Sequence, residues 1–371
     1  MSVPWSRAIV VTPSWEGRDG VSAVTRAYVT ALAAWRRDGL GRLDVWSLYG
    51  HAQVADGPEG VTVRSARGRR MAFVSYALGE RCIDRSTLVI VQHLHLLPAT
   101  LPLHARGARV MLLLHGIEAW VRLRPLERLA CRRAWKRAAV SAYTAKKFRE
   151  ANPDLADLEV DVCAPGLAAN SDCAATLTPR PYALIVGRMS AAERYKGHDE
   201  LLDIWPAVRS AVPGARLVIA GGGDDAARLE DKALRLGLSD AVSFEGIVSD
   251  GRLAALYRDA EMFVMPSANE GFGLVYVEAM RAGVPCVVAA GAAEEIVEHE
   301  RTGLVVAAGD RDALARAVIR LMTQHDDRNR MGEAARRSSS RFSAEAFAAR
   351  LEALLSDSSV TRGALSKVEG C

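Results

Sequence analysis

Short, unbroken apolar runs recur along the chain, each followed by a turn of small residues and then by helical periodicity, and no other feature limits the fold as much. Ala8–Val11, Leu88–Gln92 and Val110–Leu114 are the runs of the first half, with Leu43–Leu48 a further strand candidate. Tyr182–Val186, Leu217–Ala220, Met262–Met265 and Cys286–Ala289 are those of the second, with Val242–Phe244 a further strand. Runs that are apolar at every position suit parallel strands covered on both faces. Strand, turn and helix in alternation give βαβ units. Helices are expected at about Val21–Arg37, Ala226–Leu236, Asp250–Asp259, 312–323 and 343–355. A stripe of Leu201, Ile204, Trp205 and Val208 marks another, with Pro206 expected to kink it.

Between the two series lies AANSDCAATLTPR, residues 168–180, which is small, polar and aperiodic and is read as a linker. The expected organisation is a first domain of 1–170 and a second of 180–342, with a last helix of about 343–357 returning onto the first domain. Residues 358–371 are expected to be a flexible tail. Open parallel sheets bind ligands beyond the carboxyl ends of their strands. The fold class expected is therefore α/β, with two Rossmann-like doubly wound domains facing across a cleft that holds the active site.

Half the residues are hydrophobic and a quarter are charged, an ordinary globular balance. No apolar run approaches the ~20 residues that span a bilayer, and no secretory pattern opens the chain. The six cysteines are scattered without a zinc-ligand spacing, which suits a reducing, cytoplasmic setting. Net charge is +4, but residues 1–170 carry +9 and the remainder −5, so the first half is expected to meet something anionic. No aromatic–basic interleaving points to nucleic acid. Residues 121–150 hold ten Lys/Arg against Glu127 and Glu150, with Val121, Leu123, Leu126, Leu129, Ala130 and Trp135 between them. This is expected to form an amphipathic helix whose basic face meets an anionic membrane surface, making the protein peripheral. The alternative is a solvated basic face with its apolar side in the core.

The most informative segment is Met262–Ala290. A strand ends at Pro266-Ser267, a loop carries Glu270-Gly271-Phe272-Gly273, and a helix follows from about Leu274 to Arg281 with Gly283 at its end. The two loop glycines permit close approach of a ligand, and the helix N-terminus offers backbone N–H groups to an anion. Glu270 and Glu278 should lie roughly 8–12 Å apart. That suits two ends of one ligand better than the ~5 Å pair of a retaining hydrolase.

The two glutamates, separated by seven residues, resemble the E-x7-E motif of retaining glycosyltransferases of the GT-B fold, family 4. Gly187-Arg188-Met189 with Lys196-Gly197, Leu217–Gly223, Phe244-Glu245-Gly246, and Gly291 with Glu295-Ile296-Val297 and Thr302–Val305 are similar to that family's other blocks, in the same order. The resemblance covers 181–323 well and 1–170 diffusely. It implies that Glu278 accepts hydrogen bonds from the ribose, and that Glu270 contacts donor-sugar hydroxyls with the backbone of Gly271, Phe272, Gly273 and Leu274. Arg188 and Lys196 would hold the pyrophosphate, and Glu245-Gly246 would face the base. In the first half it implies that His115 stands near the donor sugar, and that Gly17 and Gly20 approach the pyrophosphate. The P-N-G turn usual in the family is replaced by Ala164-Pro165-Gly166-Leu167.

The implied activity is transfer of a sugar from a UDP-, GDP- or ADP-linked donor to a hydroxyl acceptor, which could be lipid-linked, with retention of configuration, in polysaccharide or glycolipid synthesis. No cofactor is expected, and no convincing D-x-D pair for a metal is present. Gly221-Gly222-Gly223 lacks the dinucleotide spacing, and Asp224-Asp225 would repel a pyrophosphate. His93 and His95 alternate at a strand end, as metal ligands or as cleft lining. The alternatives are a nucleotide-sugar epimerase or phosphorylase, which E-x7-E disfavours, and a non-catalytic scaffold, which the full set Arg188, Lys196, Glu270 and Glu278 disfavours.

Overall fold

The computed structural model describes residues 4–51, 60–167 and 182–356. The expected linker 168–180 and tail 358–371 lie outside these residues, as do Cys173 and Cys371. The chain forms two compact units, Met1–Ala168 with Phe342–Cys371, and Ala169–Arg341.

In the first unit the strands are β1 (Arg7–Ser14), β2 (Arg42–Tyr49), β3 (Val61–Ser65), β4 (Thr87–Val91), β5 (Arg109–Leu114), β6 (Lys136–Ala139) and β7 (Asp161–Val162). They lie in the order β3-β2-β1-β4-β5-β6-β7, every pair parallel. Its helices are α1 (Gly20–Ala34), α2 (Arg70–Gly79), α3 (Leu101–Ala105), α4 (Pro125–Arg133) and α5 (Ala142–Ala151). All five residues of β4 are buried, as continuous apolar runs require of a sheet covered on both sides. β1 extends beyond the apolar run Ala8–Val11 through Thr12-Pro13-Ser14, because its pairing with β2 continues to Ser14 opposite Tyr49. Thr12 is kept inside by a hydroxyl contact with Thr25 of α1.

In the second unit the strands are β8 (Tyr182–Val186), β9 (Arg216–Ala220), β10 (Val242–Gly246), β11 (Met262–Met265), β12 (Cys286–Ala289) and β13 (Gly303–Val306). Their order, β10-β9-β8-β11-β12-β13, again all parallel, repeats the winding of the first unit. The helices are α6 (His198–Ala211), α7 (Ala226–Arg235), α8 (Asp250–Asp259), α9 (Leu274–Arg281), α10 (Arg311–Thr323) and α11 (His325–Ser339). α6 continues through Pro206 to Ala211.

The final helix, α12 (Ala344–Leu355), packs in the first unit, with Phe347 edge-on to Tyr28 of α1 at 4.9 Å. Leu167 N–H donates to Phe342 C=O at 2.9 Å, and the Arg350 guanidinium donates to Ala164 C=O. Gly166 makes room for this return, since a Cβ there would lie 2.5 Å from that of Phe347.

Residues 121–150 are not the single amphipathic helix expected. Pro125 starts α4 at its first turn, Ala134 turns the backbone to an extended conformation, and Trp135 N–H bonds to Val110 C=O, so 136–139 join the sheet as β6. Pairing with β5 outweighs helical periodicity here, and α5 then starts after a Ser141 cap. Leu123 and Ala130 enter the core. Several of the basic side chains are engaged within the unit. Arg128 pairs with Asp154 and Arg132 with Asp157, while Arg137 donates to the carbonyls of Cys131, Ala134 and Glu159.

Candidate active site

In both sheets the winding reverses beside the first strand, between β1 and β4 and between β8 and β11. A crevice beyond the strand ends forms at such a reversal. In the second unit it is flanked by the loop after β8, which carries Gly187-Arg188-Met189, and by the loop after β11, which carries Pro266 to Gly273.

Backbone contacts tie these loops together. Gly187 N–H donates to Ala220 C=O and Met189 N–H to Gly222 C=O, both at 3.0 Å. Only glycine fits where they meet: a Cβ on Gly221 (φ +136°) would lie 2.0 Å from Gly187 O, and one on Gly223 2.0 Å from Met189 O. The 3-10 turn Ala191–Lys196 is anchored to the same place by Ala191 N–H to Asp224 Oδ1 at 3.0 Å and by Arg194 to Asp225. Ala268 N–H donates to Tyr195 C=O at 3.0 Å and so joins this turn to the loop of Glu270. Asp224 and Asp225, which looked repulsive to a phosphate, are thus occupied in holding the turn.

Arg188 and Lys196 come together on one carboxylate, that of Glu193. One of its oxygens bonds Arg188, and the other lies 3.0 Å from Lys196 Nζ. Burial raises the pKa of Glu270, and repulsion from Glu193 adds to it, while the Lys196 charge opposes both. Burial, with the Glu193 and Glu270 carboxylates nearby, pushes the Tyr195 phenol up to about 12. Arg188, Lys196 and Glu270 therefore belong to one electrostatic cluster.

Gly271 and Phe272 are buried between Glu270 and α9. Gly273 caps α9 with φ +95°, and Leu274 begins the helix. Glu278, in the second turn of α9, accepts a hydrogen bond from Tyr257 of α8 at 2.8 Å. At the end of β10, Glu245 pairs with Arg252 at 3.0 Å, and Gly246 has φ +62°. Glu245 and Gly246 are the last residues of β10, and the other second-unit residues lie in loops or helices that follow the carboxyl ends of strands.

The first unit carries its own cluster at the corresponding reversal. Gly17 lies in the loop after β1, and Gly20 opens α1 behind the Asp19 cap. Gly17 is enforced by packing, since a Cβ would lie 2.2 Å from Ser22 Oγ, whereas a Cβ on Gly20 meets nothing within 4 Å. His115, at the end of β5, places Nε2 3.2 Å from Gln92 Oε1, and its backbone N–H donates to Glu118 at 2.6 Å. Burial lowers its pKa to about 4, as it does for His93, so both rings are neutral at pH 7. Half-exposed His95 bonds buried Glu127 at 2.8 Å. Among the described residues no group of three His, Cys, Asp or Glu is set to hold a metal.

Sequence reasoning missed Glu193, Tyr257 and Gln92. Glu193 left a signal, five residues from Arg188 and three from Lys196. Tyr257 left none, because its link to Glu278 spans 21 residues.

A doubly wound sheet repeated twice, with the ligand loops at each reversal, defines the GT-B class of glycosyltransferase folds. Solved structures of that class agree. Sucrose-phosphate synthase from Thermosynechococcus elongatus superposes with a TM-score of 0.76 over 94% of this chain and 98% of its own, at 20% identity. Anabaena HepE in complex with UDP and glucose does so with 0.73 over 94% and 99%, at 18% identity. Residues 175–338 match the family described as glycosyl transferases group 1. A GDP-mannose-dependent alpha-(1-6)-phosphatidylinositol monomannoside mannosyltransferase of Mycobacterium tuberculosis is 34% identical over 253 residues, 62% of this chain. The match spans 65% of that relative, just under two thirds of its length. A D-inositol 3-phosphate glycosyltransferase of Corynebacterium urealyticum is 34% identical over 46% of this chain and 42% of its own.

Proposed function

We propose that the protein is a retaining glycosyltransferase that moves a sugar from a nucleoside-diphosphate donor to a hydroxyl acceptor. The observation that carries this reading is the convergence of Arg188 and Lys196 on one anionic position, beside Glu270, at the reversal of the second sheet. Two cations there suit a donor diphosphate and stabilise the charge that grows on it as the sugar–phosphate bond breaks. Glu278 would accept the ribose hydroxyls and Glu270 the hydroxyls of the donor sugar, with the Gly271–Leu274 backbone alongside. Glu245-Gly246 would border the base. Neutral His115 would contact the sugar as a hydrogen-bonding group and not as a cation, with Gly17 and Gly20 next to the phosphates. The relatives' names include a GDP-mannose-dependent enzyme, and a structural neighbour holds UDP, so both nucleotides head the list of donors.

The acceptor we propose is lipid-linked and reached from an anionic membrane surface. No helix among the described residues is long and apolar enough to cross a membrane. Val121, Leu126 and Leu129 are exposed on the first unit, and Arg122, Arg124 and Arg133 are exposed in the same stretch. Leu126, Leu129 and Arg133 fall at i, i+3 and i+7, on one face of α4. Flotation with anionic liposomes at low salt should carry the protein upward, and neutral liposomes should not. Equal recovery with both would leave a soluble acceptor.

The donor reading is tested by thermal denaturation with UDP, GDP, ADP and their sugars. A true donor at 100 times its dissociation constant stabilises by ~2.7 kcal/mol. Failure of every nucleotide and nucleotide-sugar to raise the melting temperature would sink it.

A further inference from the structure

Arg188 and Lys196 do not stand as two open charges. Glu193 sits between them, one carboxylate oxygen on the Arg188 guanidinium and the other 3.0 Å from Lys196 Nζ. Its placement departs from the local backbone rule. The 3-10 turn Ala191–Lys196 is helical except at Glu193 itself, where φ −121° and ψ 29° break the run.

The carboxylate is not what holds this turn. Before it, Ala191 N–H is fixed by Asp224 Oδ1 at 3.0 Å. After it, Arg194 is fixed by Asp225 at 2.8 and 3.0 Å, and Asp225 is fixed in turn by Arg228. Tyr195 C=O accepts from Ala268, and Gly197, with φ +92°, ends the turn against Pro266. Both flanks are secured by bonds that do not pass through the Glu193 side chain. That side chain is left with the two cations as its partners.

We propose that Glu193 is an internal counter-anion of the donor subsite: it occupies the place of the donor diphosphate between Arg188 and Lys196 and is displaced when the diphosphate arrives. This rests on the donor reading above and adds to it how the subsite is held when no donor is bound. Two cations that share one carboxylate lie close enough to repel each other, and the carboxylate offsets that repulsion while the site is unliganded. A diphosphate carries more negative charge and more acceptor oxygens than one carboxylate, so it takes both cations in exchange. Glu193 cannot stay in place once it does, because Glu270 already feels its repulsion and a diphosphate would add a third anion to the cluster. Donor binding is then an exchange of anions on a preformed cation pair.

The alternative is a plain structural clamp, and it makes the opposite prediction. If Glu193 served only to orient Arg188 and Lys196, removing its charge would loosen them and weaken diphosphate binding. The test is calorimetric titration of the full chain with UDP, GDP and ADP and with the matching nucleosides, for wild type, Glu193→Gln and Glu193→Ala.

Both variants should bind the preferred nucleoside diphosphate about five- to tenfold more tightly than wild type, with a steeper dependence on NaCl. Nucleoside affinity should stay unchanged. Equal or weaker diphosphate binding in both variants would overturn displacement and leave the donor reading standing. Tighter binding of the nucleoside as well would overturn it too, because the effect would then not lie at the phosphates. If wild type binds no nucleoside diphosphate at all, the donor reading falls and this inference falls with it. The alanine variant covers the case in which glutamine fails to fold, since the flanking anchors of the turn are the same in both.

Discussion

The Tyr257 hydroxyl of α8 donates a hydrogen bond to Glu278 Oε2 of α9 at 2.8 Å, joining two helices across a part-buried polar contact. Burial raises the Glu278 pKa, and this hydrogen bond works against the rise. One carboxylate oxygen is thereby committed inside the protein, so a ribose hydroxyl would meet the other. Tyr257 sets the direction in which Glu278 presents itself.

Tyr257→Phe should therefore act on both stability and ligand. A hydrogen bond to a charged group is worth about 1.5–3 kcal/mol. The melting temperature should fall, and affinity for the preferred nucleoside diphosphate should drop about three- to tenfold. Glu278→Ala should lower affinity further. Calorimetry decides, and a Tyr257→Phe protein with wild-type nucleotide affinity would remove Glu278 orientation from the account of the site.

Glu278→Gln should stabilise the unliganded protein while weakening nucleotide binding. The folded-state pKa of Glu278 lies above its ordinary value of 4.5. Above that folded pKa the native state carries a desolvated charge, and its cost is fully present. As pH falls through it, the folded protein takes up a proton before the unfolded chain does, and the cost is gone near pH 4.5. The variant should thus be more stable than wild type at pH 7, with a gap that closes towards pH 4.5. His93, His115 and His198, with pKa values lowered to about 4, act in the other direction on absolute stability between pH 6.5 and 4. They are common to both proteins and cancel in the difference. A gap that is constant with pH would show that the carboxylate is not the source.

The contrast between Glu278 and Tyr257 shows what the sequence made legible. Tyr182–Val186, Met262–Met265 and Cys286–Ala289 were found to the residue, because central parallel strands are apolar at every position. β6 and β7 were not. The first begins with Lys136-Arg137 and the second has two residues, and both take their strand character from a neighbour and not from composition. The site followed the same division. Glu270, Glu278, Arg188 and Lys196 stand in local motifs with fixed spacing. Gln92 reaches His115 over 23 residues, and only the adjacency of β4 and β5 supplies that contact. The stretch 121–150 misled as to a single helix because periodicity does not report that Lys136–Ala139 pair with β5.

Lys196→Ala should lower kcat more than it raises KM. On the proposed reading the Lys196 charge is needed most when negative charge grows on the leaving diphosphate, so its loss would fall on the transition state. A decrease on the order of 10²-fold in kcat, with KM for the donor changed by under tenfold, is expected from steady-state kinetics. Arg188→Ala should act in the same sense but less, because its side chain is 61% exposed against 17% for Lys196 and is more screened. Wild-type kcat in the Lys196 variant would assign the leaving-group role elsewhere.

Gly20→Ala offers the cleanest test of whether ligand reaches the first unit. The position opens α1 without a positive φ, and an added Cβ would meet nothing within 4 Å. Folding should tolerate it, with stability unchanged or raised by up to about 1 kcal/mol, since alanine is the better helix former. Gly17→Ala lacks this property, because its Cβ would collide with Ser22 Oγ and Asp19 Oδ2, so any loss of activity there would mix structure with function. Gly221→Ala is worse still, because the clash at 2.0 Å is with Gly187 backbone and would part the loops that carry Arg188. With Gly20→Ala and then Gly20→Val, a graded fall in kcat/KM at constant melting temperature would locate a ligand atom over the start of α1, as the proposed diphosphate contact requires. Full activity in Gly20→Val would place the donor away from this loop and leave Gly20 as a residue of the α1 turn alone.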